Sequence, residues 1–137
     1  MAAAGTGRRI LLIDDDEMFA LAMARLLEHA GYTVRCAEDG AQGLRMAAEE
    51  PPDAILLDFM MPVQDGFAVC RQLHEMPGLA QVPVIALTAF GRDIGLIYGL
   101  RAEQAASHIR DFLEKPVEPN VLLERLGQAL AGKSCAP

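Results

Sequence analysis

Polar residues suited to one chemistry stand at the ends of short apolar runs. Asp14 and Asp15 follow the run 10–13, and Asp58 ends a run that begins at residue 54. Thr88 ends a third run, and a fourth, over residues 111–113, leads into Lys115. Two carboxylates about 4 Å apart repel each other by roughly 4 kcal/mol at an effective dielectric constant near 20. A cluster of them needs a cation, and oxygen ligands suit a hard ion such as Mg²⁺.

The same residue types are suited to phosphoryl transfer. A carboxylate can act as a nucleophile and form an aspartyl phosphate. The Thr88 hydroxyl and the Lys115 ammonium can bind phosphoryl oxygens and stabilise the charge of the transferring group. These residues therefore predict a magnesium-dependent site at which one aspartate is phosphorylated.

The elements that must position these residues alternate between strand and helix. The apolar runs typical of buried strands lie at about residues 10–13, 33–36, 54–57, 83–87 and 111–113. Amphipathic segments typical of helices lie at about residues 17–30, 41–49, 66–76, 92–107 and 119–131. This order predicts an α/β fold with a parallel five-stranded sheet and helices on both faces. Ligands bind such sheets beyond the carboxyl ends of the strands, where the five polar residues fall.

Length, charge and cysteine spacing exclude several other classes of protein. A chain of 137 residues favours one domain, here residues 8–131, with flexible tails at 1–7 and 132–137. A net charge of −7 argues against direct binding of nucleic acid. Without a membrane-spanning run or a signal peptide, a cytoplasmic protein with no membrane contact is expected. The three cysteines lack disulfide or zinc spacing and are expected to be free thiols: Cys36, Cys70 and Cys135.

Five motifs in chain order resemble the response regulator receiver domain of two-component signal transduction. They are ILLIDDD at 10–16, PDAILLDFMMP at 52–62, DGF at 65–67, PVIALTA at 83–89 and KP at 115–116. The resemblance covers about residues 8–131. It implies a single-domain flavodoxin-like (βα)5 fold with strand order 2-1-3-4-5.

The resemblance also implies a phosphoacceptor site. Asp58 accepts the phosphoryl group from a histidine kinase or a histidine phosphotransfer protein. Asp15 binds Mg²⁺ directly and Asp14 supports it through water. Asp58 and the backbone carbonyl of Met60 complete the metal ligands.

Further residues are implied to contact the phosphoryl group or to respond to it. Thr88 and Lys115 bind its oxygens, and the small Ala89 leaves room for it. Thr88 and Phe112 form a switch, in which Thr88 moves toward the phosphoryl group, Phe112 follows, and the neighbouring protein-binding surface repacks. The bond between Lys115 and Pro116 is commonly cis in this family.

Other polar residues are expected to be structural. Asp16 is favoured as the N-cap of the first helix, with an electrostatic contribution to the site as the alternative. Asp65 is expected to cap the third helix, which begins at Gly66. The histidines lie in helical stretches and are expected to be surface residues: His29, His74 and His108.

The segment between Thr88 and Lys115 departs from the family pattern. It is longer than usual, and residues 107–110 replace the small-residue turn expected before the fifth strand. The helix predicted at 92–107 contains Gly95 and Gly99 and is preceded by Gly91, so glycines recur at intervals of four residues. Glycine costs about 1 kcal/mol in a helix interior, which predicts a kinked or mobile helix, or close packing as the alternative.

Three functions compete at this point. The first is a switch, either a stand-alone response regulator or a receiver segment of a longer hybrid kinase or regulator. The second is an enzyme, a phosphatase with an aspartyl-phosphate intermediate. That mechanism expects an aspartate two residues after the nucleophile, where Met60 stands, so no enzyme activity is expected beyond accepting and slowly losing the phosphoryl group. The third is a pseudo-receiver that binds partners without phosphorylation, which the complete acidic set disfavours.

Overall fold

The computed structural model describes residues 7–59, 61, 66–88 and 109–132. These residues form five strands and four helices: β1 (Arg9–Ile13), α1 (Glu17–His29), β2 (Thr33–Ala37), α2 (Gly40–Glu49), β3 (Ala54–Asp58), α3 (Gly66–Glu75), β4 (Val84–Thr88), β5 (Ile109–Glu114) and α4 (Pro119–Gly132). The helix predicted at 92–107, with its glycines, lies outside the described residues. Among the described helices, none has the length and apolar character needed to cross a membrane.

The five strands form one parallel sheet in the order β2-β1-β3-β4-β5, which confirms the predicted fold. Successive residues of a strand point to opposite faces, and both faces of this sheet are covered. Leu11 packs in a core cluster with side chains of α2 and α3. Leu12 packs in a second cluster with side chains of α1 and α4. Burial on both faces explains why the central strands are almost wholly apolar.

The last strand begins two residues earlier than predicted. Ile109 and Arg110 stand where the family pattern has a small-residue turn before the strand, and both belong to β5. Val84 pairs with Ile109 and Ile85 with Asp111, so Arg110 is the extra residue of a bulge. Ile109 is only 6% exposed and joins the cluster under α2 and α3. Burial of this side chain explains why the strand begins at Ile109, before the apolar run at 111–113 from which it was predicted.

Candidate functional site

The strand register brings the predicted carboxylates together. Ile13 of β1 pairs with Leu57 of β3, so the next residues, Asp14 and Asp58, meet at the same edge of the sheet. Both are almost fully buried, with 3% and 2% of their surface exposed. Asp15 is exposed, yet it has a carboxylate oxygen within 4.8 Å of oxygens from the other two.

Hydrogen bonds hold the chain where it leaves β1 and enters α1. The Asp14 N–H donates to Ala37 O at 3.0 Å, which extends the pairing with β2. Asp14 Oδ1 accepts from the Asp16 N–H at 2.9 Å. Asp16 in turn accepts from the Phe19 N–H at 3.1 Å through Oδ1, as the N-cap of α1. These bonds fix the Asp14 carboxylate and the backbone on either side of Asp15, between a buried strand and a capped helix.

Lys115 brings a positive charge to the same edge. Thr88 pairs with Glu114 across β4 and β5, and the Lys115 N–H donates to Thr88 O at 2.7 Å. The Lys115 Nζ lies 3.0 Å from Asp14 Oδ2 and 3.6 Å from Asp58 Oδ2. The peptide bond between Lys115 and Pro116 is cis.

Thr88 lies on the strand beside Asp58. Asp58 pairs with Leu87, so Thr88 is one residue beyond it at the end of β4, and Thr88 is fully buried. Asp58, Thr88 and Lys115 therefore come from three adjacent strands to one edge of the sheet. Three predicted site residues lie outside the described residues: Met60, Ala89 and Asp65.

An aromatic cluster, consisting of Phe59, Phe67 and Phe112, begins directly after Asp58. The Phe59 ring lies 4.8 Å from the Phe67 ring and 6.2 Å from the Phe112 ring, both in edge-to-face geometry. A Cβ at Gly66 would come within 2.6 Å of the Phe59 ring, so only glycine fits at this start of α3. Phe59, the residue directly after Asp58, thus packs against Phe112. The sequence did not predict this contact.

Phe19 is a second aromatic residue that the sequence assigned only to the apolar face of the first helix. The Lys115 Nζ lies 4.2 Å from the centre of its ring. The sequence feature that could have indicated this contact is the position of Phe19 in the first turn of α1, three residues after Asp16. A helix that begins at the site can direct a first-turn side chain toward it, as α1 does with Phe19.

The donor set fits a hard divalent cation. Asp14, Asp15 and Asp58 offer only carboxylate oxygens, which are the ligands that magnesium prefers. Carboxylate charges within 4.8 Å of each other repel by at least about 3.5 kcal/mol at an effective dielectric constant near 20. Lys115 balances only part of this charge, since three carboxylates face one ammonium.

His74 differs from the surface residue that was predicted. It is half-buried, with Nε2 3.0 Å from Val82 O and Nδ1 3.6 Å from Cys70 Sγ. Because a carbonyl oxygen only accepts, Nε2 carries the proton and Nδ1 accepts from the Cys70 thiol. Burial raises the pKa of the Cys70 thiol to about 12, which keeps it protonated. The pair ties α3 to the segment that enters β4.

Comparison with known proteins agrees with this geometry. The response regulator receiver domain family matches residues 10–127. Protein PilH from Pseudomonas aeruginosa is 36% identical over 124 residues, which are 90% of this chain and 98% of PilH. Response regulator PleD from Caulobacter vibrioides is 42% identical over 118 residues, which are 86% of this chain but 25% of PleD. A solved response regulator receiver domain protein from Clostridium thermocellum is 26% identical, with a TM-score of 0.80, and the match covers 95% of this chain and 99% of that one.

The fold, the carboxylate cluster and these matches lead to one assignment. Four-fifths or more of the chain aligns with each of the proteins compared above. The chain belongs to the response regulator receiver domain family, whose members act as phosphoacceptors in two-component systems.

Proposed function

We propose that Asp58 accepts a phosphoryl group from a histidine kinase or a histidine phosphotransfer protein, in a reaction that requires Mg²⁺. The observation that carries this proposal is the convergence of three carboxylates and one ammonium at the carboxyl edge of the sheet. Oxygens of Asp14, Asp15 and Asp58 lie within 4.8 Å of one another. The Lys115 Nζ lies within 3.6 Å of Asp14 and Asp58.

The contacts of the three carboxylates favour Asp58 as the nucleophile. Asp14 already accepts a hydrogen bond at each oxygen, from the Asp16 N–H and from Lys115 Nζ. Asp15 is exposed and follows the end of its strand. Asp58 lies between the ends of β1 and β4, and its nearest ammonium contact is longer, at 3.6 Å. Lys115 and Thr88 can bind the oxygens of a phosphoryl group attached there.

The metal has a clear role in this proposal. Asp14, Asp15, Asp58 and the backbone carbonyl of Met60 are the proposed ligands, with Asp14 acting through water. Mg²⁺ would offset the mutual repulsion of the carboxylates and the charge of the phosphoryl group. Ala89, which follows Thr88 in the sequence, is the proposed small residue that leaves room for that group.

The consequence of phosphorylation is a change of protein-binding surface. Thr88 and Phe112 are the proposed switch. Phe112 contacts the ring of Phe59, and Phe59 directly follows Asp58 in the chain. Residues 8–131 form the proposed receiver unit, with protein partners and without direct contact to nucleic acid or membrane. Its own chemistry is limited to accepting the phosphoryl group and slowly losing it, in the cytoplasm.

Intact-mass measurement tests the phosphorylation directly. The protein is incubated with Mg²⁺ and acetyl phosphate, and the expected product carries one phosphoryl group that hydroxylamine removes. Asp58→Asn abolishes the product. Asp53→Asn is the matched control, because it changes charge equally at the other end of β3, where Asp53 accepts from the Arg9 N–H.

Three outcomes would contradict the proposal. An unmodified wild-type protein indicates a pseudo-receiver that acts without phosphorylation. Rapid turnover of small phosphate esters indicates a phosphatase. A product that survives in Asp58→Asn places the modification on another residue.

A further inference from the structure

Phe19 covers one side of the Lys115 ammonium. The Nζ atom lies 4.2 Å from the centre of the Phe19 ring, 3.0 Å from Asp14 Oδ2 and 3.6 Å from Asp58 Oδ2. A cation at this distance from an aromatic face is attracted to the ring quadrupole. An ammonium has three N–H donors, so it can face two carboxylates and a ring together.

The helix, and not Lys115, fixes the position of the ring. The Phe19 N–H donates to Asp16 Oδ1 at 3.1 Å, which is the capping bond of α1. The half-buried Phe19 side chain packs against the core cluster under α1 and α4. Cap and core hold the ring in place whatever charge the carboxylates carry.

Metal binding and phosphorylation would change the carboxylate contacts of Lys115 but not its contact with the Phe19 ring. A divalent cation at the carboxylate cluster would repel the ammonium, and esterification of Asp58 would change the charge beside it. The ring has no formal charge and binds no metal. We propose that Phe19 is a positioning residue, which keeps the Lys115 ammonium at the carboxylate cluster while the metal is bound. This inference rests on the proposed phosphorylation of Asp58.

Nuclear magnetic resonance tests the contact without any phosphorylation. Protons above an aromatic ring are shifted upfield, so the Lys115 Hε resonances are expected upfield in wild type, with and without Mg²⁺. Phe19→Leu keeps an apolar side chain and loses the shift, whereas Phe19→Tyr keeps it. Lys115 Hε resonances at their ordinary position in the Mg²⁺-bound wild type would overturn the inference.

Calorimetric titration with Mg²⁺ separates positioning from simple packing. Without the ring, the ammonium leaves more readily when the metal arrives, so Phe19→Leu should bind Mg²⁺ about two- to fivefold more tightly. In a Lys115→Met background the same replacement should have no effect, because the interacting partner is gone. Weaker Mg²⁺ binding in Phe19→Leu, or an effect that persists in Lys115→Met, would show that Phe19 only packs.

The phosphorylation rate should change in the opposite direction. With acetyl phosphate and saturating Mg²⁺, Phe19→Leu should react about three- to tenfold more slowly, and Phe19→Tyr within about twofold of wild type. Pentafluorophenylalanine at position 19 keeps the ring shape but reverses its quadrupole, and should slow the reaction as leucine does even if the leucine variant folds poorly. A wild type that is phosphorylated no faster than the leucine and pentafluorophenylalanine variants would refute the role of Phe19. A wild type that is not phosphorylated at all would refute the proposed function, and the Lys115 resonances would still test the contact.

Discussion

Replacing Lys115 by methionine should destabilise the protein in the absence of divalent cations, and Mg²⁺ should restore the loss. Methionine keeps an unbranched chain of similar length and removes the charge. Asp14 and Asp58, each at most 3% exposed, would then face each other without their ammonium partner. A bound divalent cation can take over that role.

Coulomb energies indicate the scale of this effect. At an effective dielectric constant near 20, ion pairs at 3.0 Å and 3.6 Å correspond to about 5.5 and 4.6 kcal/mol. The two carboxylates have oxygens within 4.8 Å of each other, so their repulsion is at least about 3.5 kcal/mol and is of the same order as each ion pair. Removing one partner of a buried ion pair costs about 3–5 kcal/mol. Because the Lys115 side chain is 20% exposed, we expect the lower end, about 3 kcal/mol.

Urea unfolding in EDTA and in Mg²⁺ measures the effect. Lys115→Met should lose about 3 kcal/mol of unfolding free energy in EDTA and regain most of it in Mg²⁺, so that Mg²⁺ stabilises the variant more than the wild type. Arg125→Met is the matched control, because it removes one positive charge from a partly exposed pair with Asp111, away from the carboxylate cluster. Adding Asp58→Asn to Lys115→Met should recover stability in EDTA.

Equal Mg²⁺ stabilisation of wild type and Lys115→Met would refute this reasoning. So would a Lys115→Met variant that is as stable as wild type in EDTA. Either result would mean that the ammonium does not balance the buried carboxylates.

Three further predictions concern the metal, the aromatic cluster and the buried thiol. Asp15→Asn should reduce the rise in melting temperature that Mg²⁺ causes, measured by differential scanning calorimetry; an unchanged rise would remove Asp15 from the metal ligands. Gly66→Ala should cost about 1–2 kcal/mol in urea unfolding despite the higher helix propensity of alanine, since its Cβ would press on the Phe59 ring; an alanine variant as stable as wild type would contradict this packing. With a pKa of about 12 for Cys70, only about one thiol in 10⁴ is ionised at pH 8. In a variant with the other two cysteines replaced by alanine, this thiol should react with a disulfide reagent faster as pH rises but far more slowly than in urea, and equal rates would contradict its burial.

The sheet and its carboxyl edge were predictable because burial leaves a clear pattern. Strands covered on both faces are apolar throughout, as in residues 10–13 and 54–57. Once they are parallel, the residues that follow them share one edge. This placed Asp14, Asp58 and Lys115 together before any distance was known. The N-cap role of Asp16 was also predictable, because it follows from local backbone geometry.

Contacts between side chains of distant elements were not predictable from local pattern. The position of the Phe19 ring over Lys115 depends on rotamers from the first helix and the end of the last strand. The bonds of His74 to Cys70 and Val82 depend on how closely α3 approaches the segment before β4. Ile109 entered β5 because of burial in the core, which a stretch of polar neighbours conceals.

The most direct test of the account is to locate the phosphorylated residue. After incubation with Mg²⁺ and acetyl phosphate, borohydride reduces an aspartyl phosphate to homoserine, which peptide mass spectrometry assigns to a position. The account predicts homoserine at position 58 only, and none when Mg²⁺ is replaced by EDTA. Homoserine at position 14 or 15, or its absence from every peptide of a fully folded protein, would contradict it.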